Sequence, residues 1–345
     1  MKTLRIAFAL ACLVTAQGLA AQTYPGQSYP QTEISNEILR ARIYLPDAQK
    51  GFYRGMRFDW AGVITSLEYK GHEYYGPFFE KFDPSVEDVS IGDPILAGVN
   101  SATSGPVEEF IGKDGAALGF AEAKPGDTFC KIGVGSLNKP DNSPYNSYRI
   151  YTIVDGGERS VQHGADWIEF TQEVKCGSGY AFKYTKTIRF ARNEPVMMID
   201  HTLVNEGKKA IESQVYDHNF MRIDHQPIGP DVVLTFPFAL TAKQDLKGIA
   251  ESRGKQIVFP KPLTGGDTVD GGLAGFGKDQ SDYDIRVENR KTGAGIRIVA
   301  DRPLASLWFW AVRTVVAPEP FVDINVAPGR DFRWKYSYRF YTLKQ

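Results

Sequence analysis

The stretch Val215-Tyr216-Asp217-His218-Asn219-Phe220-Met221-Arg222-Ile223 gathers side chains able to do chemistry. Its β-branched and aromatic residues alternate with polar ones, and neither Gly nor Pro interrupts, so it reads as a strand. Successive strand side chains point to opposite faces. Tyr216, His218, Phe220 and Arg222 then share one face, and Asp217 and Asn219 point the other way. An imidazole and a guanidinium among aromatic rings suit the floor of a sugar-binding cleft. Rings pack on the apolar C–H patches of a pyranose, and polar tips take its hydroxyls. A core histidine satisfied by a neighbouring carbonyl is the alternative, and the stretch alone leaves both open.

Residues 318–326 offer a second surface. Val322, Ile324 and Val326 take one face there, and Glu319, Phe321, Asp323 and Asn325 take the other. Residues 51–60 place Arg54 and Arg57 among aromatics, where a guanidinium can grip a carboxylate or a hydroxyl pair. An Arg57–Asp59 surface pair beside packed rings fits those residues equally well. Glu108 and Glu109 are neighbours on an extended segment, so at most one can face a given site, and the pair reads as solvated. His201 shares its face with Ile199 and Leu203 and reads as structural. His72, between Gly71 and Glu73, reads as a turn residue.

The elements that must position these residues are strands. Strand patterns recur at 38–45, 63–69, 131–134, 148–154, 167–174, 180–190, 197–204, 232–240, 296–300 and 307–316. Trp308 and Trp310 share a face, and from Phe332 to Phe340 aromatics alternate with Arg333, Lys335, Ser337 and Arg339. Residues 84–128 read as loop-rich. Residues 263–284, with Gly265, Gly266, Gly271, Gly272, Gly275 and Gly277, read as a flexible rim or lid over a site. No amphipathic helix longer than two or three turns, no internal repeat and no compositional break is visible. The expectation is an all-β protein, a large antiparallel two-sheet sandwich forming one domain over 35–345.

Hydrophobic residues make up 42% of the 345-residue chain and aromatics 12%, enough for a real core, which excludes a disordered protein. The net charge of −1, without a basic block, excludes nucleic acid and anionic membrane as partners. Met1-Lys2-Thr3-Leu4-Arg5 is basic, residues 6–14 are apolar, and Gly18-Leu19-Ala20 supplies small residues for a peptidase. Residues 1–20 therefore read as a signal peptide, 21–34 as a flexible leader, and the product as periplasmic or secreted. A lipoprotein reading through Cys12 leaves too short an apolar run. No segment is long enough to span a membrane. Cys130 and Cys176 remain after cleavage, and an oxidising compartment invites a bridge; two separate buried thiols are the alternative.

Leu203-Val204-Asn205-Glu206-Gly207, then Tyr216-Asp217-His218-Asn219-Phe220, then Glu319 ahead of Val326-Ala327-Pro328-Gly329 and a final aromatic strand resemble the galactose mutarotase-like (aldose 1-epimerase) superfamily. The resemblance implies a β-supersandwich that binds or acts on sugars. It implies that His218 matches the family's histidine and Glu319 its glutamate. The family's Asn…Arg pair and His-Gly-Gly segment are not plainly present. Arg54 or Arg57 stands in for the arginine, and His163, followed by Gly164, is a second candidate cleft histidine. The implied chemistry is anomer interconversion. Glu319 as carboxylate takes the anomeric hydroxyl proton, and His218 as imidazolium protonates the ring oxygen. Arg54, Arg57 or Arg222 holds hydroxyls or a uronate carboxylate, with Tyr216, Phe220 and Asp323 completing the binding surface. No cofactor is required and no Cys/His metal cluster is offered. A polysaccharide lyase or glycoside hydrolase using the same cleft, with Tyr216 and Arg222 in attendance, is one alternative. A non-catalytic glycan-binding module is the other.

Overall fold

Strands dominate because the alternation that predicts them runs through nearly the whole chain. The computed structural model describes residues 29–82, 96–97 and 103–344. The proposed signal peptide, residues 21–28 of the leader and much of 84–102 lie outside the described residues. Among the described residues the only helices are two short 3-10 turns, Ile223–His225 and Gln280–Asp282.

Two large antiparallel sheets carry the molecule. The first has six strands in the order Thr241–Ala242, Thr268–Ala274, Ser306–Val312, Val315–Val326, Ile211–Phe220 and Gly105–Ile111. The second has ten, with Trp167–Lys175, Ala181–Phe190, Val196–Asn205, Asp331–Thr342 and Ala294–Ala300 side by side at its middle. Smaller sheets of four, three and two strands complete the fold, and the last, Lys81–Phe82 with Leu96–Ala97, is parallel. The main apolar core lies between the two large sheets, with Val215, Ile324, Leu307 and Phe309 meeting Ile188, Ile199 and Tyr336. A second apolar cluster covers the opposite face of the six-stranded sheet, where Phe52, Phe58, Trp60, Phe78, Phe129 and Tyr151 pack on Tyr216 and Phe220.

The structure corrects several expectations. The leader is too long as drawn, because Gln31–Ser35 is a strand paired with Arg40–Tyr44. The loop-rich segment contains the strand Gly105–Ile111, which zips onto the central strand with Glu109 opposite Tyr216. Glu108 and Glu109 are fully buried rather than solvated. The glycine-rich segment is no lid. Thr268–Ala274 is an inner strand, and Gly271 and Gly272 sit where a Cβ would come within 2.8 Å of Leu246 and 3.3 Å of Trp308. Glycine in a strand here marks close approach rather than freedom. Tyr148 lies in a loop, with strand only at Ile153–Asp155. The central strand is Ile211–Phe220. Met221 makes one bridge to Val316, and Arg222 already leads into the 3-10 turn. His72 pairs across a short strand with Tyr69 and bonds Asp224 through Nδ1 at 2.9 Å. Cys130 and Cys176 are bridged, tying the strand Thr128–Lys131 to the end of Trp167–Lys175.

Candidate active site

Strand register builds the site. On the outer face of the six-stranded sheet, His218, Glu319, Trp308 and Gly272 form one cross-strand row. Phe220, Ala317, Trp310 and Asp270 form the next, because every second residue on neighbouring antiparallel strands shares a face. Above this grid lies a cleft of about 350 Å³, walled by Arg57, Phe58, Phe78, Phe79, Thr103 and Tyr148.

His218 Nε2 lies 3.2 Å from Glu319 Oε1 at the cleft floor, with side chains 4% and 14% exposed. The imidazole is fixed by rings: Phe220 stacks on it at 3.8 Å, and Phe58 and Trp310 meet it edge-on at 5.5 and 5.8 Å. Among the described residues its Nδ1 has no hydrogen-bond partner, so Glu319 is the group placed to select the tautomer. Burial holds His218 well below the ordinary imidazole value, and Arg57 adds to that. Burial raises Glu319 to about 8, with Glu109 and Asp270 adding to it against the pull of Arg57. At neutral pH the pair thus holds one proton, and burial places it on Glu319. The sequence expectation of a carboxylate beside an imidazolium has the same proton count with the proton on the other partner.

Arg57 is the cation of the cleft wall. Its Nε donates to Glu109 Oε2 and its Nη2 to the Tyr216 hydroxyl, each at 2.7 Å, and the guanidinium lies over Phe58 and Tyr148. Glu109 also accepts from Lys131 Nζ at 3.0 Å and from Tyr216. Burial alone would raise Glu109; Lys131 and Arg57 outweigh it and hold the carboxyl below its usual range. Glu109 is a fixed anion that aims Arg57, not a proton carrier.

Of the sequence-predicted residues, the cleft brings together His218, Glu319, Phe220 and Arg57. Tyr216 is not in the lining. It lies beneath, 2% exposed, stacked on Phe321 and bonded to Glu109 and Arg57. Arg54 turns back onto the preceding turn, donating to Gln49 O at 3.1 Å. Arg222 leaves the face because the strand ends at Phe220, and its guanidinium donates to Pro77 O. His163 is exposed on an outermost strand of the ten-stranded sheet. Asp323 shares the face of Glu319 but lies two rows beyond it, exposed and bonded by Gln214 at 2.8 Å. Asp270, Tyr148, Trp308, Trp310, Phe58, Phe78, Phe79 and Thr103 were not assigned to the site from sequence. Only the shared face of Trp308 and Trp310 hinted at it.

No family model matches the chain, and no curated protein sequence matches it. Solved structures do. A GalM/aldose epimerase homologue from C. elegans aligns over 92% of this chain and all of its own, at 12% identity and a TM-score of 0.53. A galactose mutarotase-like protein from Clostridium acetobutylicum aligns over 90% of this chain and 95% of its own, at 10% identity and a TM-score of 0.52. A Synechocystis protein aligns over 94% and 100%, at 11% identity and a TM-score of 0.54. The chain has the galactose mutarotase-like fold. At such identities the likeness establishes the architecture, and the chemistry rests on the residues of the cleft.

Proposed function

We propose that the protein is an aldose 1-epimerase-like isomerase that interconverts sugar anomers by acid/base ring opening. The observation that carries this reading is the His218–Glu319 pair, one proton shared between two groups 3.2 Å apart on the floor of an aromatic cleft. A pyranose seated on His218, Phe220 and Trp310 displaces the contact within the pair. Glu319 then donates its proton to the ring oxygen while His218 Nε2 accepts the anomeric hydroxyl proton. The bond from anomeric carbon to ring oxygen breaks, and an aldehyde forms. Rotation about the adjacent carbon–carbon bond presents the other carbonyl face, and ring closure returns each proton in reverse. Arg57, in the cleft wall, takes hydroxyls of that ring. The 14% exposure of Glu319 faces the cleft, so a bound ring removes its last water and keeps it protonated.

Proton NMR of the anomeric signals tests this over a panel of hexoses and uronic acids. The protein should accelerate α/β equilibration, and His218→Ala and Glu319→Ala should each lower the rate by about 10²–10⁴-fold. The active state needs one proton on the pair. The rate should hold below about pH 8 and fall above it as Glu319 ionises. A rate that instead rises through pH 8 would mean that the active pair carries no proton, which sinks the one-proton assignment whichever partner holds it. A new ultraviolet-absorbing product without anomer exchange would establish a lyase. The basic, apolar N-terminus and the Cys130–Cys176 bridge support export to the periplasm or medium, which fractionation of the source cells would test.

A further inference from the structure

The cleft is wider than the ring that the catalytic pair needs. From the strand of Phe220 to that of Asp270 the floor crosses three strand spacings, about 14 Å in steps of about 4.8 Å. A pyranose over His218 and Phe220 fills the inner part, closed by Phe58 and Phe78. Beyond Glu319 in the same row lies Trp308, among the few large apolar side chains exposed in the described residues.

Trp308 is held in a particular pose. The neighbouring strand presents Gly272 opposite it, and a Cβ at that position would lie 3.3 and 3.4 Å from the benzenoid edge of the indole. The absent side chain lets the indole lie close against the strand, with its outward surface open at the cleft mouth. Lys243 closes the remaining space at Gly272, 3.1 Å from the same point. A supported aromatic plane beside polar groups is the surface on which a sugar ring stacks. Tyr148, 41% exposed, borders the mouth from the Arg57 side.

We propose that Trp308 forms an outer sugar subsite, so that the reducing end of an oligosaccharide is preferred over a free monosaccharide. The inference rests on the sugar-cleft reading above and names its substrate class. The reducing-end ring lies over the His218–Glu319 pair, and the next ring stacks on Trp308.

Calorimetric titration of the folded protein with glucose, cellobiose and maltose tests it independently of catalysis. At least one disaccharide should bind about tenfold more tightly than glucose. In Trp308→Ala that ratio should fall to about one, and Trp308→Phe should keep most of it, with circular dichroism showing both variants folded. Equal affinities for all three sugars, a ratio that survives Trp308→Ala, or no binding of any of them would overturn the subsite. Anomer exchange is read separately. If none occurs while the disaccharide preference and its loss persist, the isomerase reading fails and the subsite stands.

Discussion

Two buried histidine–glutamate pairs flank the six-stranded sheet, one on its outer face and one bridging it to the ten-stranded sheet. His218 and Glu319 face the cleft at 3.2 Å; His201 and Glu108 lie between the sheets at 2.7 Å. Burial lowers both imidazoles. The carboxyls go opposite ways. Glu108 accepts from Lys186, which also lies 3.8 Å from Asp59, and Lys186 and His201 overcome burial to hold it well below its ordinary value. Among the described residues no lysine pairs with Glu319, and burial outweighs the pull of Arg57, so it is raised to about 8. The His201–Glu108 pair is locked in one protonation state, and its histidine stacks flat on Trp334 at 4.5 Å. The His218–Glu319 pair is poised to exchange a proton near neutral pH. A buried cation in direct contact with the carboxylate, Lys186 on Glu108, separates the structural pair from the reactive one, where Arg57 acts on Glu319 without outweighing burial.

Removing that cation should have the largest effect on stability. Lys186→Met leaves Glu108 buried without its main partner and should cost about 3–5 kcal/mol in urea unfolding, enough to threaten folding. A loss under 1 kcal/mol would show that Glu108 relaxes by taking a proton, which erases the contrast. The cleft pair should behave oppositely. Glu319 stays protonated when folded up to about pH 8, whereas it ionises at about 4.5 when unfolded. The folded state therefore binds the extra proton, and this group's contribution to stability falls as pH rises from 4.5 to 8. At about 1.36 kcal/mol per pH unit, Glu319→Gln should gain at most about 3 kcal/mol at pH 7, with no gain near pH 4.5. Activity should be lost in the same variant. A destabilised Glu319→Gln protein would mean that Glu319 is ionised after all.

The smallest effect belongs to a third carboxyl. Asp217, between the sheets and next to His218 in sequence, is held well above its ordinary value by burial and accepts from the Tyr338 hydroxyl. Burial pushes this carboxyl toward its neutral form, which is close to its amide, so Asp217→Asn should change stability by less than about 1 kcal/mol. A larger loss in thermal unfolding would identify Asp217 as a charged partner of Lys186.

Much of this was legible beforehand. The alternation around His218 and Glu319 placed both on one face, because period-two geometry is local. The same rule separated Tyr216, His218 and Phe220 from Asp217 and Asn219 correctly, and failed at Arg222 only because the strand ends two residues earlier. His201 read as structural from its apolar neighbours, and it is buried between the sheets against Glu108 and Trp334. Asp270 was missed because its glycines argue for a loop. Their role in letting Leu246, Phe309 and Trp308 approach is known only from the adjoining strands. Glu108 and Glu109 were missed because nothing near them in sequence announces Lys186 or Lys131, 78 and 22 residues away.

The sequence by itself determined the all-β class, the face that Tyr216, His218 and Phe220 share, the face of Glu319 and the family of folds it resembles, since these follow from periodicity and short motifs. Tertiary structure decided which faces meet, and so which carboxyls are neutral. A pKa depends on burial and on charges brought in from distant strands. The same glutamate side chain is a fixed anion at 108 and 109 and a proton carrier at 319 because of what packs against it.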